Sequence, residues 1–279
     1  VLTVAARGLA FDVQAAGPPD GVPVLLLHGF PQHAGMWDGM LPALHGAGLH
    51  TIAVNQRGYS PGARPVDVDA YRISECAADA LAILDSLAGA RPVHVVGHDW
   101  GSVVGWHVAA WYPERVRTFT AISVPHPAAM RDALVTEPDQ RERSSYIELF
   151  RDVPRAGQVL SEDGARRLTL LFAGSGLSDA AVERYVAPMR DPEALAGALR
   201  WYAAMSLEPV LEAACRAPTT FIWGVDDPAI GSTAAKRCGE YVAADYAYVP
   251  LDGVGHWVPD LAPGPVAEAV LDRISRSEL

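Results

Sequence analysis

Lysine is nearly missing from this 279-residue chain: it occurs once, at Lys236, and almost all other basic residues are arginine. The excess of acid leaves a formal net charge of −11. A protein that grips nucleic acid or an anionic membrane presents a basic face, so neither is an expected partner. Cysteine is scarce too. Cys76, Cys215 and Cys238 are scattered, odd in number and form no C-x-x-C pair. That argues against a disulfide framework or a zinc site, and buried thiols in a reducing cytoplasm are expected. No apolar run approaches the length of a membrane span, and no charged stretch followed by an apolar core opens the chain. No G-x-G-x-x-G follows a strand pattern, and no ligand cluster is visible, so neither cofactor nor metal is expected. Internal repeats and low-complexity tracts are lacking as well.

What the chain does have is apolar content, at 50% of residues, enough for a substantial core. "LTVAARGLAFDVQAAG" reads as two strands around Arg7-Gly8. "VPVLLL", "HTIAVN", "RPVHVVG" and "VRTFTAISV" are near-continuous apolar runs, the mark of strands buried on both faces. Between the second and third of these, Ile73, Ala77, Ala80, Leu81, Leu84 and Leu87 share one helical face, and Gly89 follows as a stop. Strand, helix and strand at this spacing predict a parallel α/β sheet. Residues 127–216 show helical patterns and turns but no buried strand. Strand signals return at "PTTFIWG" and "ADYAYVPL", with a helix near Ser232 to Val242 between them. "PGPVAEAVLDRIS" closes the chain as a helix with Pro at its start. The expected organisation is one α/β core, residues 1–126 and 217–279, carrying a helical lid, residues 127–216, over the strand ends where such sheets bind ligands.

The segment "VVGHDWGSVVG", Val95 to Gly105, has the layout of a nucleophile elbow, G-x-S-x-G. Its centre is Asp99 rather than serine. A helix N-cap would also suit an aspartate, but that ignores the glycine on each side and the buried strand before it. Ser102 is a competing nucleophile, placed one residue beyond the second glycine and so inside the helix. A serine needs a base before it can attack. A carboxylate is already an anion at neutral pH. It can displace an alkoxide or halide from a saturated carbon, giving an ester that activated water must then hydrolyse.

Five motifs, "HGFP" at His28–Pro31, "QRGYS" at Gln56–Ser60, "GHDWGS" at Gly97–Ser102, "WGVDDP" at Trp223–Pro228 and "GHW" at Gly255–Trp257, span nearly the whole chain. In this order they resemble the α/β-hydrolases, and within them the epoxide hydrolases. The resemblance implies an α/β-hydrolase fold, with a mostly parallel sheet flanked by helices and a helical cap. It also implies a triad in the order nucleophile, acid, histidine. Asp99 would be the nucleophile and His256 the base that activates water, with His126 as its main competitor. The family spacing G-x-x-D selects Asp227 as the acid that orients the histidine, with neighbouring Asp226 the alternative. The N–H groups of Trp100 and Phe30 would form the oxyanion hole, beside a cis Phe30–Pro31 bond.

Opening an epoxide creates an alkoxide, to which a neutral phenol can donate. The two lid tyrosines of epoxide hydrolases correspond to Tyr146 in "SSYIELF" and Tyr202 in "LRWYAAM", with Tyr185 a third candidate. The chain departs from the family at Arg200, where many relatives have Asn, and in "DVPRAGQVL", which only partly echoes their P-G-x-x-E. His28, Phe30, Trp100, Trp201 and Trp257 are expected around an apolar substrate pocket.

The expected activity is conversion of a small apolar epoxide to a vicinal diol in the cytoplasm, and a homo-oligomer is compatible with the composition. The alternatives are a haloalkane dehalogenase, which shares "GHDWG" but usually has Asn at the position of Phe30, an esterase or lactonase, and a binding protein on the same scaffold.

Overall fold

The computed structural model describes residues 1–277. Eight strands form one sheet: β1 (Leu2–Ala6), β2 (Leu9–Ala16), β3 (Val22–Leu27), β4 (Leu49–Val54), β5 (Val93–His98), β6 (Val116–Ile122), β7 (Thr219–Gly224) and β8 (Tyr246–Leu251). Their spatial order is β1-β2-β4-β3-β5-β6-β7-β8. The hairpin β1–β2 and the β2–β4 pair are antiparallel, and all pairs from β4 to β8 are parallel. The buried runs in the sequence are the central strands: every residue of β5 and β7 is buried, as expected of strands covered by helices on both faces.

The helices are α1 (Leu41–Gly46), α2 (Ile73–Ala88), α3 (Trp100–Trp111), α4 (Pro127–Thr136), α5 (Pro138–Arg143), α6 (Tyr146–Arg151), α7 (Val153–Leu170), α8 (Asp179–Met189), α9 (Pro192–Ala204), α10 (Ser232–Arg237), α11 (Val258–Leu261) and α12 (Pro263–Arg276). Six of them, α4 to α9, occupy the connection between β6 and β7. α7 is broken at Glu162–Ala165, where Asp163, Gly164 and Ala165 take positive φ. The predicted face of α2 is buried at Ala77, Ala80, Leu81 and Leu84, but Leu87 is exposed. Periodicity carries no information about where a packing neighbour ends.

An arginine–aspartate pair lies beneath the α4–α9 segment. Arg57 donates to both oxygens of Asp79, at 2.6 and 2.7 Å, and both are buried. Such a bidentate pair satisfies charges that would be costly to bury singly. The carbonyl of Arg57 in turn accepts from the indole of Trp201 on α9 at 2.8 Å, fastening that helix to the core. Among the described residues, no helix is long and apolar enough to cross a membrane.

Candidate active site

Asp99 stands between β5 and α3 with φ 53° and ψ −121°, a conformation that costs energy for a residue with a Cβ. The flanking glycines make the turn possible by close approach. A Cβ on Gly97 would lie 2.2 Å from the Gly101 carbonyl oxygen, and one on Gly101 would lie 1.9 Å from that of Leu27. The elbow thus holds the Asp99 side chain out over the ends of the strands.

The carboxylate meets the HGFP loop on one side. The Phe30 N–H donates to Asp99 Oδ1 at 2.7 Å, and the Phe30–Pro31 bond is cis. On the other side His256, from the loop after β8, places Nε2 3.6 Å from Asp99 Oδ2. Its Nδ1 lies 2.8 Å from Oδ2 of Asp227. Asp227 is buried, and its other oxygen accepts from the N–H groups of Ala229 and Ile230. Asp226 is exposed and reaches neither histidine nor cavity, so burial separates the two aspartates that sequence spacing left adjacent.

Charges in this cluster interact strongly. Burial pushes the Asp99 carboxyl up, but the facing imidazolium of His256, 3.6 Å away, outweighs it, with smaller help from His98 and the Trp100 N–H. The net pKa is below the usual carboxylate value. Burial alone would discharge His256. The charge and hydrogen bond of Asp227, joined by the negative charge of Asp99, instead push it up to about 10.

A cavity of about 280 Å³ opens at Asp99, with His256 and Asp227 behind the carboxylate rather than in the cavity lining. Asp99, Trp100, Tyr146 and Tyr202 line it together with an apolar wall that includes Val103, Met130, Leu134, Ile147 and Leu211. Tyr146 comes from α6 and Tyr202 from α9, with ring centroids 6.3 Å apart. The Tyr202 ring packs edge-on against Trp100 at 5.2 Å and Phe30 at 5.5 Å. Burial raises both phenols above their ordinary pKa, reinforced by the negative charge of Asp99 for Tyr146 and by Tyr146 and then Asp99 for Tyr202. At neutral pH both therefore remain O–H donors.

The remaining sequence candidates lie elsewhere. Ser102 is buried inside α3, donating to the Val124 carbonyl at 2.7 Å. His126 caps α4, accepting from Ala128 N, and is stacked on Tyr241. Tyr185 donates to Asp260 at 2.6 Å, outside the cavity lining. Of the expected substrate contacts, Trp100 and Trp201 line the cavity, whereas His28, Trp257 and the Phe30 ring do not. His28 is fully buried, its Nε2 accepting from the Gln56 N–H at 3.1 Å. The QRGYS loop holds it as a structural post, because a buried imidazole needs partners for its ring nitrogens. Trp257 stacks on Phe172 at 4.4 Å.

Two contacts near the site were not foreseen from the sequence. Ser123 Oγ donates to the His256 carbonyl at 2.9 Å, and His98 Nε2 lies at the same distance from that oxygen. The carbonyl that precedes Trp257 is thereby pinned from two sides. Nothing local marks these contacts, since the partners are 133 and 158 positions apart. Among the described residues, no group of three or more His, Cys, Asp or Glu is placed to hold a metal ion.

A family model described as alpha/beta hydrolase fold matches residues 22–263, and with this sheet and elbow the chain belongs to that family. Epoxide hydrolase A of Mycobacterium tuberculosis is 33% identical, aligned over 98% of this chain and 96% of its own length. The AB hydrolase superfamily protein YfhM of Bacillus subtilis is 32% identical over 95% and 94%. The crystal structure of epoxide hydrolase A from Mycobacterium thermoresistibile superposes with a TM-score of 0.86 at 29% identity, covering 98% of this chain and 97% of that one. The chain is a hydrolase, an epoxide hydrolase-like member of the α/β-hydrolase family.

Proposed function

We infer that the chain hydrolyses an epoxide to a vicinal diol through an ester on Asp99, with α4 to α9 acting as the cap. The observation that carries this reading is that one apolar cavity holds the Asp99 carboxylate and the phenols of Tyr146 and Tyr202. Asp99 Oδ1 is occupied by the Phe30 N–H, which leaves Oδ2 to attack an oxirane carbon. The C–O bond of the ring breaks, and Tyr146 and Tyr202 donate to the alkoxide as it forms. This creates an alkyl ester and removes the charge of Asp99.

The same event prepares the second step. The Asp99 charge is one of the influences that keep a proton on His256. Once Asp99 is esterified, the imidazole holds that proton less strongly; its loss makes up for the proton the phenols pass to the alkoxide, and His256 enters the second step as a neutral base. It then takes a proton from water, and the hydroxide adds to the ester carbonyl carbon. Phe30 N–H and Trp100 N–H receive the resulting oxyanion. Collapse expels the diol oxygen, which takes the proton held by His256, and Asp99 is restored carrying one oxygen from water as the remaining water proton passes to the imidazole. Asp227 keeps the imidazole oriented throughout.

The test is a side-by-side panel of styrene-type epoxides, terminal alkyl halides and p-nitrophenyl esters. Diol formation should dominate. Release of halide with no diol from any epoxide would overturn the reading in favour of a dehalogenase, and cleavage of esters alone would overturn it in favour of an esterase.

A further inference from the structure

The cavity has a second polar end, which the chemistry at Asp99 does not use. Along α3 the lining residues are Trp100, Val103 and His107, at helical spacing on one face. Eight positions separate Asp99 from His107, a rise of roughly 12 Å along the helix. Glu208 also lines the cavity, near enough for its charge to act on the His107 ring.

Both groups are held in place. His107 Nδ1 lies 2.7 Å from the Val103 carbonyl, to which it must donate. In a neutral ring that leaves Nε2 as a bare acceptor, and burial keeps the ring neutral. Glu208 accepts from the Ser74 N–H at 3.1 Å, and the Arg72 guanidinium donates to the adjoining Leu207 carbonyl. These bonds pin the segment after α9 to the start of α2. Arg131, the cation of the lining, is already paired with Asp132 at 2.7 Å and with Glu212. The far end therefore offers acceptors and a negative charge, with its cation engaged.

Resting on the epoxide reading, we propose that the substrate is an epoxide with an apolar body and a hydrogen-bond donor at its far end. That donor is a hydroxyl, amide or ammonium group roughly 12 Å from the oxirane, bound by Glu208 and His107. A carboxylate tail is disfavoured: it would bring a second negative charge beside half-buried Glu208, and Arg131, the cation of the lining, is already shared between Asp132 and Glu212.

The experiment uses terminal epoxides whose straight chain of about that span ends in methyl, hydroxyl, ammonium or carboxylate. The corresponding diols serve as unreactive ligands, their binding read from quenching of tryptophan emission, since Trp100 and Trp201 line the cavity. In the wild type, kcat/KM should fall at least about tenfold from the hydroxyl to the carboxylate compound, and diol affinities should rank in the same order. Glu208→Gln, whose amide oxygen can still accept from Ser74, should cut the ammonium-over-carboxylate ratio about tenfold. Glu208→Arg should reverse that ratio. His107→Phe should bring the hydroxyl compound down toward the methyl one. Equal treatment of hydroxyl and carboxylate compounds by the wild type, or an unchanged ratio in Glu208→Gln, would overturn the proposal. If none of the epoxides turned over while the diol ranking held, the donor-binding end would be upheld and the epoxide reading would fall.

Discussion

His256 Nε2 stands 3.6 Å from Asp99 Oδ2, whereas its Nδ1 stands 2.8 Å from Asp227. The first distance is longer than a strong hydrogen bond and the second is within its range. The imidazole is thus tied to the acid and only loosely engaged with the carboxylate it faces. That arrangement suits a base for water rather than a base for the nucleophile. In a single turnover in ¹⁸O-water with enzyme in excess, label should enter the peptide carrying Asp99 before it appears in diol. Label found directly in the diol, with an unlabelled peptide, would mean that water attacks the epoxide itself.

His256→Gln should still form the ester and then stall. Intact-protein mass spectrometry should show an adduct equal to the substrate mass, absent in the His256→Gln, Asp99→Asn double variant. Loss of turnover with no adduct from a reactive epoxide would count against this division of the two steps.

The same histidine predicts a pH dependence of stability. Its folded-state pKa is raised to about 10 from an ordinary 6.5, so folding retains a proton that the unfolded chain loses. The stabilisation is fully present below about pH 6.5 and disappears as pH rises through about 10. The Tm difference between the wild type and His256→Gln should therefore shrink across that window, in thermal melts at matched ionic strength. A constant or growing difference would show that the imidazolium is not the favoured form in the folded enzyme.

Asp227 and Asp226 should behave very differently. Asp227→Asn removes the charge that orients and stabilises the imidazolium, and hydrolysis of the ester should slow by at least ~10²-fold, on the scale of other orienting carboxylates. Asp226→Asn, on an exposed side chain, should leave turnover close to wild type and stability within about 0.5 kcal/mol. Pre-steady-state burst analysis distinguishes the two, and the reverse ranking would relocate the acid.

Tyr146→Phe and Tyr202→Phe should each slow ester formation from an epoxide, and the double variant should nearly abolish it. Removing one donor to a developing oxyanion costs roughly 10²–10³ in rate, so stopped-flow single turnovers should resolve the effect of each phenol. Ester formation at the wild-type rate in the double variant would show that neither phenol serves ring opening.

Much of this molecule was legible without coordinates because some physical demands are local. A strand covered on both faces needs an unbroken apolar run, so β3, β5 and β7 are visible as such. A side chain projected from a strand-to-helix turn needs glycine where backbones nearly touch, so Gly97 and Gly101 frame Asp99. What only tertiary structure decided depends on distant partners. Burial of one aspartate and exposure of its neighbour separated Asp227 from Asp226. Packing sent His28, a motif residue, into the interior, and left Leu87, a residue of the predicted apolar face, in solvent. Ser123 and His98 meet the His256 carbonyl, and Glu208 reaches the cavity wall beside His107, only because the chain folds back on itself. Hydrogen bonding and burial are properties of neighbours in space, and periodicity along the chain records only neighbours in sequence.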